Sequence, residues 1–445
     1  MGRTARAAAI PIALVLAAPL AAKDPADDVS QARLAASVRA LAGFGTRHTL
    51  SSQTDPKRGI GAARAWGEAE FRKTAAACNG CLDIVLPEKM VSGARIPDPV
   101  RLVDVVAIQR GSERPNEVVI VQGHIDSRAS DALDATSDAP GANDDASGTS
   151  LVLEAARVLS QRKYPTTIVY ALLSGEEQGL YGGQLLADYA KAQGWTVKAV
   201  LNNDIVGGSC GSDGICDAGH VRVFSEGPRG DADAKLAAAQ RSNGGENDSP
   251  SRNLSRFVDR LADTDPSGLD VRQIWRADRM GRGGDHLPFL ALGYPAIRFT
   301  VAIENYNRQH QNVRIEDGVP YGDVPDQVDY PYLAKVTRLN VETLDRLARA
   351  PMPPVATVQG AVQTFTELSW TPVPGAGSYT IWQRRTDQPD WDPKPLRSGV
   401  TATQARLPGV RGDDWFFGVS AVSADGVESP IASALPGGGF APTAP

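Results

Sequence analysis

EVVIVQGHIDSRASDALDATSDAPGANDDASG, residues 117–148, is the stretch whose reading decides the fold. It opens on Val118-Val119-Ile120-Val121, a β-branched run with the length and flanks of a buried strand. That run delivers His124 and Asp126 at its carboxyl end. A polar loop follows and closes on Asn143-Asp144-Asp145-Ala146-Ser147-Gly148, after which apolar residues at helical spacing predict a helix over 149–160. Ligands of open α/β sheets collect outside the carboxyl ends of the strands, so the chemistry is expected here. His-x-Asp has a use in such a place. The imidazole can bind a metal while a carboxylate behind it fixes the orientation of ligand rings.

The same rhythm extends to both sides. Strands are predicted at 82–87, 102–109, 166–173, 196–202, 220–224, 269–276 and 296–300. Helices are predicted at 29–41, 61–77, 181–192, 231–241, 252–261 and 330–349. This alternation gives an α/β fold over 23–350, a mixed and largely parallel sheet flanked by helices. Pro351-Met352-Pro353-Pro354 reads as a linker, 351–354. Beyond it Leu368, Trp370, Tyr379, Ile381, Trp415, Phe417, Val419 and Ala421 fall in alternating runs between Pro/Gly turns. That pattern predicts a small β-sandwich over 355–435, and the Gly/Pro-rich tail 436–445 is expected to be flexible.

At 445 residues the chain is too long for one ordinary domain, and 42% hydrophobic with 22% charged residues is enough for a sizeable core. A formal net charge of −6 without a basic run excludes nucleic acid and anionic membrane as general partners. Arg3 and Arg6 precede an apolar run over 7–22 that is Pro-interrupted, too short to span a membrane, and ends in Ala21-Ala22. Residues 1–22 therefore read as a signal peptide, leaving no membrane span in the mature chain. The four cysteines form two local pairs, Cys78 with Cys81 and Cys210 with Cys216, although four cysteines allow three connectivities. Two structural disulfides in an exported protein, periplasmic or extracellular, are the simplest account. The chain is expected to act as a monomer.

Further acidic residues fall at predicted strand ends. Glu176-Glu177 follows strand 166–173 by a short turn, and Asp204 follows strand 196–202. An arbitrary Glu-Glu pair is usually solvated, but this one lies between an apolar strand and a glycine. Several carboxylates converging on one cleft repel each other unless a cation neutralises them. Histidine with Asp/Glu in mixed N,O coordination suits zinc, and two zincs bridged by a carboxylate suit peptide hydrolysis.

GHIDS, GANDDASG, SGEEQGLYGG, LNND and QHQN resemble, in order, the motifs of the co-catalytic zinc aminopeptidases, metallopeptidase family 28, over about 29–350. The resemblance implies two zinc ions, one held by His124 and Asp204, the other by Glu177 and His310, with Asp144 bridging them. It implies Glu176 as general base, Asp126 as the partner behind His124, and Asp145 as a supporting carboxylate. The substrates implied are peptides with a free N-terminus. Asp285-His286, in RMGRGGDHLPF, matches an Asp-His the family often carries near the site; it is expected beside the ligands, the alternative being that His286 replaces His310. His48 and His220 are expected to be structural or superficial. The run LSWTPVPGAGSYTIWQRR…FFGVSAVSADGVES resembles a fibronectin type III domain.

The chain departs from the best-known leucyl aminopeptidases in one respect. Their cysteine pair lies close to the Asp-His, whereas both pairs here lie upstream and Arg276, Asp278, Arg279 and Arg282 crowd that approach. Arg279 and Arg282 are expected to favour acidic side chains or short peptides with a nearby carboxylate, the alternative being surface salt bridges with Asp278 and Asp285. The rival readings are a glutaminyl-cyclase-like acyltransferase and a carboxypeptidase or dipeptidase on the same fold. A non-enzymatic calcium-dependent binding protein is the remaining one, and two histidines at the site argue against it.

Overall fold

The run at 118–121 is buried on both faces. Val119 and Val121 pack into one layer of helices, and Val118 and Ile120 into the other. This period-two division is what a strand between two helical layers requires. In the computed structural model, which describes residues 23–443, that strand is Arg114–His124, near the middle of an eight-stranded sheet. The expected signal peptide lies outside the described residues.

From one edge to the other the strands are Asp83–Val85, Val105–Gln109, Thr166–Leu173, Arg114–His124, Thr196–Asn203, Ala296–Val301, His220–Phe224 and Asp270–Ile274. The four from Thr166–Leu173 to Ala296–Val301 run parallel, and antiparallel pairs join them on both sides. One face is covered by helices Gln31–Ala42, Ile60–Ala77, Ala146–Leu159 and Tyr330–Arg349, through Leu34, Phe71, Leu151 and Leu333. The other is covered by Tyr181–Ala192 and Leu287–Ala291, through Leu186 and Phe289. The fold is the mixed, largely parallel α/β sheet read from the sequence.

Two of the departures from expectation bear on the site. The helix after the first loop starts at Ala146, not at residue 149, because the Asp145 carboxylate caps it: Oδ1 accepts from Gly148 N at 2.9 Å. Gly148 is required there, since a Cβ would meet Asn203 O at 2.1 Å. The strand expected at 102–109 is broken at Asp104. Its first half belongs to a hairpin, Glu88–Gly93 with Ile96–Val103, and its second half to the main sheet. Asp104 is buried at the break, with Oδ1 accepting from Ser174 N at 2.9 Å.

After residue 354 the chain forms two antiparallel sheets, of three and four strands, around Trp370, Tyr379, Ile381, Phe417 and Val419. This unit sits on the helix Pro250–Ala262. Trp391 Nε1 donates to Asn253 Oδ1 at 3.1 Å, Asn253 Nδ2 donates to Ser433 Oγ at 2.9 Å, and Arg384 pairs with buried Asp248. The tail expected to be flexible is bound. Arg229 donates to Gly439 O at 2.7 Å and Ala441 O at 2.9 Å, Thr443 N donates to Asp231 Oδ2 at 2.8 Å, and Phe440 is 1% exposed. A Gly/Pro-rich segment offers free carbonyls, and a buried guanidinium has donors to fill them.

Disulfides join Cys78 to Cys81 and Cys210 to Cys216. They place the protein in an oxidising compartment, periplasmic or extracellular. No helix among the described residues is long and apolar enough to cross a membrane.

Candidate active site

The carboxyl ends of the parallel strands deliver the site. His124 ends strand Arg114–His124, and Asp204 follows Thr196–Asn203 directly. Glu176 and Glu177 follow Thr166–Leu173 after a turn in which Gly175 takes φ +77°. Asp144 comes from the loop before helix Ala146–Leu159, and His310 from the loop after Ala296–Val301. Two triads result, His124–Asp144–Asp204 and Asp144–Glu177–His310, the atoms of each within 4.8 Å of one another. Asp144 belongs to both. Its Oδ1 lies 3.1 Å from His124 Nε2 and its Oδ2 3.1 Å from His310 Nε2. His310 Nε2 is also 3.0 Å from Glu177 Oε2, and His124 Nε2 is 3.9 Å from Asp204 Oδ1.

A second layer fixes these groups. Asp126 is fully buried; its carboxylate lies 3.5 Å from His124 Nδ1 and accepts from the backbone N–H of Glu176 and Glu177 at 3.3 and 3.2 Å. Burial raises its pKa, but His124 and those N–H groups outweigh it, and the carboxyl stays below its ordinary value. Asp145 points away from the cleft, accepting from His124 N at 3.0 Å and Ile205 N at 3.2 Å. Asp323 Oδ2 accepts from Asn143 N at 2.8 Å and Asp144 N at 2.7 Å. Buried Arg47 donates to Ile125 O and Gly141 O, which ties the strand end to the same loop.

The cleft over these groups has a volume of about 390 Å³, and Glu176 lines it together with Asp144, Glu177, Asp204 and His310. Burial first, then the charges of Asp204 and Glu177, raise the Glu176 carboxyl well above its ordinary value. Four arginines also line it, Arg95, Arg128, Arg279 and Arg282. Arg279 and Arg282 both reach Glu304 Oε2, at 3.1 and 3.3 Å, and Arg222 takes its other oxygen at 2.6 Å. Despite burial, these arginines hold the Glu304 carboxyl down at about 2. Asp285 is buried beneath the site, accepting from Gly183 N at 3.1 Å, and burial pushes it up to about 7. His286 stands apart from both triads; it is buried, with Nε2 2.7 Å from Ala277 O and 3.7 Å from Asp278 Oδ2. His48 and His220 bond to loop groups, Ala132 O and Asp217.

Arg95, Arg128, Glu304 and Asp323 were not singled out by sequence reasoning. Arg128 follows GHIDS directly, and its place next to a motif was the one available signal.

The donor set fits zinc: two imidazoles and several carboxylates, nearly all buried. The buried atom Glu177 Oε1 finds no hydrogen-bond partner, as expected of an atom meant for a cation. The model of Peptidase family M28 matches residues 104–318, which contain every residue of both triads. A "Probable zinc metalloprotease" of Leptosphaeria maculans is 43% identical over 416 residues, 92% of this chain and 96% of its own. The chain belongs to peptidase family M28. Membership makes it a zinc-dependent exopeptidase, with a buried zinc site built on Asp144. A "Probable zinc metalloprotease" of Pyricularia oryzae is 42% identical over 92% of this chain and 83% of its own. An alignment over 92% of this chain extends past residue 350 into the C-terminal segment. Among solved structures, LapA of Legionella pneumophila has the same fold, with a TM-score of 0.54 and 19% identity over 73% of this chain and 74% of its own.

Proposed function

We propose that the chain is an aminopeptidase that holds two zinc ions through Asp144 and removes N-terminal residues from peptides. The observation that supports it best is the division of one carboxylate between two triads, Oδ1 towards His124 and Oδ2 towards His310. In this reading His124 and Asp204 hold one ion, and Glu177 and His310 the other. Zinc held by these residues would acidify a water and polarise the scissile carbonyl. Glu176, which lines the cleft without belonging to either triad, takes a proton from the attacking water and returns it to the leaving amine. Asp126 keeps the His124 ring in register. The cleft carboxylates receive the free amino group of the substrate, which limits cleavage to the first peptide bond. The peptidase unit is 23–350, joined through 351–354 to a fibronectin type III-like sandwich.

Aminoacyl anilides with free and acetylated amino groups test the reading, with zinc content measured alongside. Free substrates should be hydrolysed, acetylated ones spared, and activity should leave with zinc under chelation and return on its addition. Equal cleavage of acetylated substrates would remove the aminopeptidase reading. Cyclisation of glutaminyl peptides without hydrolysis would replace it with a cyclase.

A further inference from the structure

The two histidines of the site face opposite partners on the side away from Asp144. His124 Nδ1 lies 3.2 Å from Asp126 O and 3.5 Å from Asp126 Oδ1, both acceptors. His310 Nδ1 lies 2.7 Å from Arg128 Nη2, and a guanidinium can only donate. Arg128 Nε also lies 3.0 Å from Glu177 Oε2, so one cation touches both ligands that Asp144 does not supply. Asp204 has an arginine of its own, Arg298 at 2.9 Å, but Arg298 is shared with Asp278 at 3.0 Å. Arg128 pairs with no carboxylate other than Glu177 among the described residues.

A neutral imidazole that gives Nε2 to a metal carries its hydrogen on Nδ1. At His124 that N–H meets Asp126, an arrangement that raises the basicity of the ring and strengthens metal binding. At His310 the same N–H would meet another donor, and the nearby positive charge opposes a divalent cation as well. We infer that Arg128 makes Asp144–Glu177–His310 the weaker, exchangeable metal position, and that Asp126 makes His124–Asp144–Asp204 the tight one. The inference rests on the two-zinc reading given above. Arg128 is a positioning residue in this role, acting through His310 and Glu177.

Zinc-loaded enzyme dialysed against graded chelator, with zinc per chain measured, tests it independently of activity. The wild type should lose one zinc at about tenfold to hundredfold lower free chelator than the other, the usual span for a partner behind a ligand. The zinc lost early should be absent from His310→Ala and still present in Asp204→Asn. In Arg128→Met, checked for folding by thermal melting, the early loss should move towards the late one by about tenfold or more. Two zincs that leave the wild type together, or an early zinc that survives in His310→Ala, would overturn the inference and leave the two-zinc reading intact. An unchanged early loss in folded Arg128→Met would also overturn it. Uptake of a single zinc by saturated wild type would overturn the two-zinc reading and this inference with it.

Discussion

Glu176 and Glu177 are neighbours in sequence and receive opposite surroundings. Glu177 Oε2 faces His310 and Arg128, whereas Glu176 lines the cleft with its carboxyl pushed up by burial. Glu177→Gln should lower both zinc content and activity. Glu176→Gln should keep the zinc and the fold while turnover falls by about a hundredfold to ten-thousandfold. Metal analysis and kinetics on the two variants decide it, and an active Glu176→Gln would remove that residue from the chemistry. Far from the site, burial pushes Glu226 up to about 8 from an ordinary value of 4.5. Its folded pKa exceeds its unfolded one, so the stability it contributes is complete below about pH 4.5 and lost as pH rises through about 8. Glu226→Gln carries no such charge, so it should melt above the wild type at pH 9 and lose that advantage at pH 5.

At the scale of elements, the segment 276–284 and Glu304 set the charge of the cleft. Glu304 draws Arg279 and Arg282 to one oxygen, so their capacity to meet a substrate carboxylate is already partly taken. Glu304→Gln should release them and lower the Michaelis constant for acidic substrates by several-fold. Arg282→Ala should raise it, and neutral substrates should respond to neither change. Equal effects on neutral and acidic substrates would show that the arginines serve the loop rather than the substrate. The long periodic elements of this sheet were legible because burial on both faces leaves continuous apolar runs, as at 118–121 and 166–173. The hairpin Glu88–Gly93 with Ile96–Val103 was not, because it is mostly exposed and its residues carry no face preference. The triad residues could be found because each sits in a short motif, at a strand end for His124 and Asp204 and in a loop after a strand for Asp144, Glu177 and His310. Arg95, Glu304 and Asp323 reach the site from distant loops, and nothing in their local sequence states what they meet in space.

At the scale of the molecule, every triad residue precedes residue 351, yet the two C-terminal sheets are bound to the helix Pro250–Ala262 and the tail to Arg229. A chain ending at Ala350 should therefore retain turnover on small substrates but melt several degrees lower. Without Arg384, Asp248 keeps Arg256 at 3.4 Å as its remaining arginine, and breaking a buried pair costs about 3–5 kcal/mol when nothing replaces it. Calorimetry and kinetics on the shortened chain check this. Loss of turnover in shortened chain that is demonstrably folded would give the sandwich a part in shaping the cleft.

The metal-holding groups are collected from His124, Asp144, Glu177, Asp204 and His310, separate stations along the chain that only the assembled sheet brings together. No short stretch of polypeptide can hold the pair of triads. A nascent or partly translocated chain thus carries no working blade: it must finish folding before it can be armed with metal.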